Sequence, residues 1–162
     1  MNLDKYKNEA IKKASEHKKY LEKLKQKKPK KLDEEMEEIH QNVFSKIDCL
    51  QCANCCKTTG PLVLDKDIER ISKHLRMKPI EFIDQYLYKD EDNDWVFKQL
   101  PCPFLDHSNY CIIYEVRPKA CKEYPHTNRK KFYQINNLTL KNTVICPAAF
   151  EVVELLMKSK RL

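Results

Sequence analysis

A chain of 162 residues hides roughly 70% of its extended surface on folding, so this one can build a core without cross-links. Its net charge of +7 is lopsided: residues 1–31 hold 12 Lys against 4 Asp/Glu, whereas residues 32–162 hold 19 basic and 20 acidic side chains. The single glycine argues against a turn-rich all-β sandwich, and the longest apolar stretch, Val152 to Met157, is broken by Glu154 and cannot span a bilayer.

The start, MNLDKYKNEAIKK, lacks an apolar signal region, so a cytoplasmic protein with reduced cysteines is expected. Residues 2–28 predict a helix with a stripe of Leu3, Ala10, Ala14, Leu21 and Leu24, ended by Pro29. A second helix over 32–47 carries Leu32, Met36, Ile39, Val43 and Ile47, with Asp33, Glu34 and Glu35 suited to its N-terminal dipole. The two are expected to form a helical hairpin, with one kinked helix as the alternative.

A cysteine-bearing loop follows over 49–60, then a short strand at 61–64 ending at Asp65 as N-cap. Helices are predicted from Lys66 to Leu75 and from Pro79, the latter presenting Ile80, Ile83 and Leu87. Trp95–Phe97 reads as an exposed or edge strand, Pro101–Leu105 as a loop, and Cys111–Tyr114 as a strand. Pro118 opens a short helix holding Cys121, residues 131–145 fit strand or loop, and a last helix starts at Pro147. The expected fold is mostly α with a few short β-strands around a cysteine-lined centre. The expected division is a basic helical hairpin over 1–47 and a cysteine-cluster domain over 48–162.

The chemistry lies in the thiols. Cys49, Cys52, Cys55 and Cys56 fall within eight residues, and Cys102, Cys111, Cys121 and Cys146 follow. A thiolate is a soft anionic ligand for zinc or iron–sulfur clusters, and two intervening residues let a tight turn aim both sulfurs at one metal. C-x2-C-x2-C also opens a ferredoxin-type iron–sulfur motif whose last ligand precedes proline, as Cys146 precedes Pro147 and Cys102 precedes Pro103. Neighbouring Cys55 and Cys56 project differently, so one serves the first site and the other a second site or a reactive thiol. Eight thiolates fill either two four-cysteine sites or one cluster with spares. A lone Gly60 behind the loop suggests a positive φ or a close backbone approach.

Four segments together resemble the CxxCxxCC proteins, also called YkgJ-like cysteine-cluster proteins, a zinc- or iron-chelating family. They are Cys49-Leu-Gln-Cys-Ala-Asn-Cys-Cys56, Leu64-Asp-Lys-Asp-Ile-Glu-Arg-Ile71, Pro101-Cys-Pro-Phe-Leu-Asp106 and Cys111-Ile-Ile-Tyr-Glu-Val-Arg-Pro-Lys-Ala-Cys-Lys-Glu-Tyr-Pro125. The resemblance covers about Cys49 to Cys146 and implies that all eight cysteines are ligands. It also draws in Tyr114, Glu115, Arg117 and Tyr124, with Arg117 suited to donate hydrogen bonds to sulfur or to an anion.

The expected function is a metal-chelating module holding zinc or an iron–sulfur cluster (4Fe–4S among the options), in a structural or redox role. Beyond the metal site, Tyr114, Arg117 and Gly60 are the candidate cofactor-binding residues. A cluster-dependent oxidoreductase or transferase is the alternative, although no phosphate cradle or acid/base pair is present. Expected partners are a metal ion or cluster, with room for a protein. A second alternative is a nucleic-acid-associated protein that uses the basic N-terminal arm, its clustered lysines with Tyr6 and Tyr20 meeting phosphates. The simpler reading of the arm is a solvated helical face, so nucleic acid is not the expected partner.

Overall fold

The computed structural model describes residues 2–160 and 162. The chain is 62% helical with one small antiparallel sheet, as the composition and periodicity predict. Its contacts gather into two compact units. Unit 1 is Met1–Asp48 with Pro125–Leu162, and unit 2 is Cys49–Tyr124.

In unit 1, α1 (Leu3–Lys27) starts where the Asn2 side chain accepts the Lys5 amide at 3.0 Å, and it ends with Lys28 in the left-handed conformation. A short turn leads to α2 (Leu32–Phe44), whose first turn carries Asp33, Glu34 and Glu35 beside the positive end of its dipole. Both helices turn their apolar faces onto helices from the far end of the chain, α8 (Asn136–Ile145) and α9 (Pro147–Ser159). The shared core contains Leu21, Leu24, Leu32, Met36, Val43, Val152 and Leu156. Helix α1 buries Ala10 and Leu21 as the stripe predicts. Ile11 stays exposed, and His17, a polar residue, is buried completely. The buried His17 ring meets Glu154 at 2.7 Å, and Lys13 donates to the same carboxylate.

Residues 131–145, which fit strand or loop by sequence, are helical. A 3-10 turn over Phe132–Ile135 runs into α8. The segment shows no amphipathic pattern because α8 buries Thr139, Asn142 and Thr143, polar residues, against its neighbours.

In unit 2 the cysteine segment is not a plain loop. It folds as two single turns, α3 (Cys49–Cys52) and α4 (Asn54–Thr58), joined at Ala53 with φ 49°. Strand β1 (Leu62–Val63) is followed by α5 (Asp65–His74), so Asp65 is the first helical residue rather than the cap. Helix α6 (Pro79–Tyr86) buries Phe82 rather than Ile80, which is 68% exposed. The chain turns into β2 (Leu87–Lys89) and β3 (Trp95–Phe97).

Strand β3 is the middle strand, not an edge: it pairs antiparallel with β1 on one side and β2 on the other. Cross-strand neighbours point to one face. The Leu87–Phe97 row faces inward onto Phe82 and Phe104, and the Leu62–Val96–Tyr88 row faces out. Cys111–Tyr114 forms no strand; a single bridge joins Leu105 and Cys111, and a 3-10 turn covers Tyr114–Val116. Helix α7 (Lys119–Glu123) follows Pro118 as predicted.

Phe82, fully buried among Tyr86 and Phe104 rings, is the centre of the unit 2 core. Phe82→Ala is expected to cost about 3–5 kcal/mol, read as a lower denaturant midpoint at unchanged slope.

Candidate metal centre

Seven of the eight cysteines lie in unit 2, and Cys146 lies in unit 1 as the residue preceding α9. Cys49 is exposed at the start of α3, and the other seven are half-buried.

Four of them converge. The Cys102 amide donates to the Cys56 carbonyl at 2.7 Å, which fixes the downstream loop against the end of the first motif. Burial pushes the Cys102 thiol up to about 11, and the nearby Cys56 and Cys111 sulfurs push it in the same direction. Cys121 is pushed up to about 12, again by burial first and then by Cys56, Cys102 and Cys111. Cys111 is raised by burial and by Cys56. Each of the four sulfurs therefore sits within electrostatic reach of the others. They are neighbours rather than a finished coordination set: among the described residues, no three His, Cys, Asp or Glu side chains are arranged to hold a metal ion.

Cys56 differs from its companions. Its thiol is lowered to about 7, mainly by a hydrogen bond from Cys55, with its own backbone amide and Lys57 assisting against burial. Of the adjacent pair, Cys56 is the one whose charge is felt by Cys102, Cys111 and Cys121. Backbone amides also face the other sulfurs. Those of Phe104 and Leu105 favour the thiolate of Cys102 and that of Ile113 favours the thiolate of Cys111, while the Leu105 N–H donates to the Cys102 carbonyl at 3.1 Å.

Arg117 stands on the same side of the site. Its guanidinium lies 3.8 Å from the centre of the Tyr114 ring and donates to the Tyr114 carbonyl at 2.6 Å. Its charge favours the thiolate forms of Cys111 and Cys121. Gly60 has no comparable part. Its φ is not positive and a Cβ there would meet nothing within 4 Å, so neither conformational reason expected from its isolation applies.

The residues that sequence reasoning passed over are Asp67 and Arg70, on α5. Asp67 is 1% exposed, and its carboxylate accepts the Leu64 amide at 3.0 Å, the Lys119 amide at 3.1 Å and the Arg70 guanidinium at 2.6 Å. Arg70 also donates to the carbonyls of Val116 and Arg117. One ion pair thus mounts the segment carrying Arg117 and Cys121 onto α5. The signal was an acidic residue at the third helical position, followed three residues later by arginine, within a segment already singled out for its resemblance.

The donor set is all sulfur, half-buried, supported by N–H groups and flanked by a guanidinium. Crowded thiolates are stabilised by a soft cation, so these residues fit zinc or iron. The fold thus brings together a cluster of cysteines. Residues 48–146 match the model of the CxxCxxCC family, described as "Putative zinc- or iron-chelating domain", and the chain belongs to that family. No curated protein and no solved structure matches the chain.

Asp67→Asn removes the charge that Arg70 faces and places an amide donor opposite either the Leu64 N–H or the Lys119 and Arg70 donors, which bond the two different carboxylate oxygens. The expected loss is about 3–5 kcal/mol, measured by denaturant unfolding, with faster reaction of the Cys121 thiol toward a disulfide reagent.

Proposed function

We propose that the protein chelates zinc or an iron–sulfur cluster through its eight cysteines, with Cys56, Cys102, Cys111 and Cys121 as the central quartet. The observation that supports this most directly is the convergence of those four sulfurs from four separate segments, each raising or feeling the charge of the others. Cys49, Cys52, Cys55 and Cys146 complete the proposed ligand set. Arg117, positioned by Tyr114, offsets negative charge on Cys111 and Cys121. A bound metal would neutralise the thiolates and contribute to folding, on the order of 10 kcal/mol for a structural site. The proposed setting is a reducing compartment such as the cytoplasm, where the thiols stay available.

Protein purified without oxygen is expected to carry stoichiometric zinc or iron by elemental analysis. Iron–sulfur loading gives a brown colour and visible absorption, whereas zinc loading gives neither. Cys102→Ser and Cys121→Ser are expected to lower metal affinity at least tenfold. Metal-free protein that folds with the same melting temperature in chelator would remove the proposal.

The sign of the pH dependence follows from the raised thiols. Cys102, Cys111 and Cys121 hold their protons at neutral pH, so a metal must displace them. Affinity is expected to rise with pH, with about three protons released per ion near pH 7, measured by titration calorimetry in buffers of different ionisation enthalpy. A pH-independent affinity would contradict it.

A further inference from the structure

The excess positive charge belongs to one unit. Unit 1 contains 20 basic and 12 acidic residues, and unit 2 contains 11 and 12. Within unit 1 the charge is concentrated again. Residues 23–31, the end of α1 and the turn after it, contain six lysines and no carboxylate, and all six are exposed.

The fold adds a second basic segment that the sequence places about a hundred residues away. Arg129-Lys130-Lys131 is fully exposed and lies beside the α1–α2 turn. Three residues on one face of α2 hold it there. Asp33 accepts the Lys131 amide at 2.9 Å, Glu37 bonds the Asn128 side chain, and His40 meets the Thr127 hydroxyl at 2.8 Å. The Lys28 ammonium, 5.6 Å from the Tyr133 ring centre, ties the two segments from the other side. The carboxylate of Asp33 is thereby engaged by backbone. None of the nine basic side chains forms an ion pair among the described residues.

Nine cations without an ion pair, gathered from two segments, outnumber the Asp33 and Glu37 carboxylates that hold the second segment. Like charges held together by the fold attract an anion across them. We propose that this surface binds the phosphodiester backbone of duplex nucleic acid without sequence preference. Lysines act on phosphate as point charges and read no base edges. Single strands are bound on aromatic platforms, and the aromatic ring here, Tyr133, is covered by Lys28. A membrane surface needs an apolar wedge, and the exposed large apolar residues lie outside both segments. The metal centre of unit 2 takes no part.

The test uses the full metal-loaded chain and a fluorescein-labelled random-sequence DNA duplex, followed by anisotropy over a salt series. With about five phosphates engaged, log K is expected to fall against log salt with a slope of about −4.5. Lys27→Ala/Lys30→Ala and Arg129→Ala/Lys130→Ala should each weaken binding about tenfold at low salt and reduce the slope by about 2. A charge-matched control in unit 2, Lys66→Ala/Lys73→Ala, should leave both unchanged. Four results would overturn the proposal: no duplex binding at low salt, a flat salt dependence, both patch variants behaving like the control, or binding to phosphatidylserine vesicles without binding to the duplex.

Discussion

Thiolates repel one another, and burial makes each harder to ionise; Cys56, Cys102, Cys111 and Cys121 are subject to both effects at once. Burial and mutual charge push Cys102 and Cys121 far above the ordinary thiol range. Only Cys56, helped by Cys55 and an adjacent lysine, is held near neutrality. A core of aliphatic side chains would impose no such tension. The crowding is understandable as an arrangement for a cation, whose attraction to each sulfur outweighs the repulsion among them.

Keeping four thiols close enough to oppose one another's ionisation demands a rigid frame, and unit 2 supplies one from few residues. The Cys102 amide bonds the Cys56 carbonyl, so the first motif and the Pro101–Leu105 loop cannot drift apart. The Leu105–Cys111 bridge closes the next loop. Asp67 and Arg70 then fasten the 114–123 segment onto α5, with the Asp67 carboxylate shared among three donors. Behind them, Phe82, Phe97 and Phe104 form an aromatic core that fixes the sheet beneath the site.

Much of this was legible in the sequence where local chemistry decides structure. The helices starting at Pro79 and Pro147 follow from proline in a first turn, and α1 and α2 follow from their apolar period. The crowding of cysteines was visible by spacing, and Arg117 drew attention by resemblance; the ligand set itself is the proposal. What was hidden depends on distant partners. Strand β3 looks like an edge until β2, just before it in the chain, and β1, more than thirty residues earlier, flank it. Helix α8 buries threonines and an asparagine, so no hydrophobic period announces it. Asp67 carries an ordinary capping pattern, and only the fold shows that it also receives the Lys119 amide 52 residues away. Gly60 misled because rarity in composition implied a conformational need that the backbone there does not have.

Unit 1 is bound together by packing of both chain ends, α1 and α2 against α8 and α9, and it carries the net positive charge, whereas unit 2 is nearly neutral. The quartet Cys56, Cys102, Cys111 and Cys121 and the charged surface thus reside in different units and are separable by experiment. X-ray absorption at the zinc and iron edges of anaerobically purified protein tests the central claim most directly. The account predicts a first shell dominated by sulfur at about 2.3 Å. A shell of nitrogen and oxygen, or no metal at either edge, would contradict it.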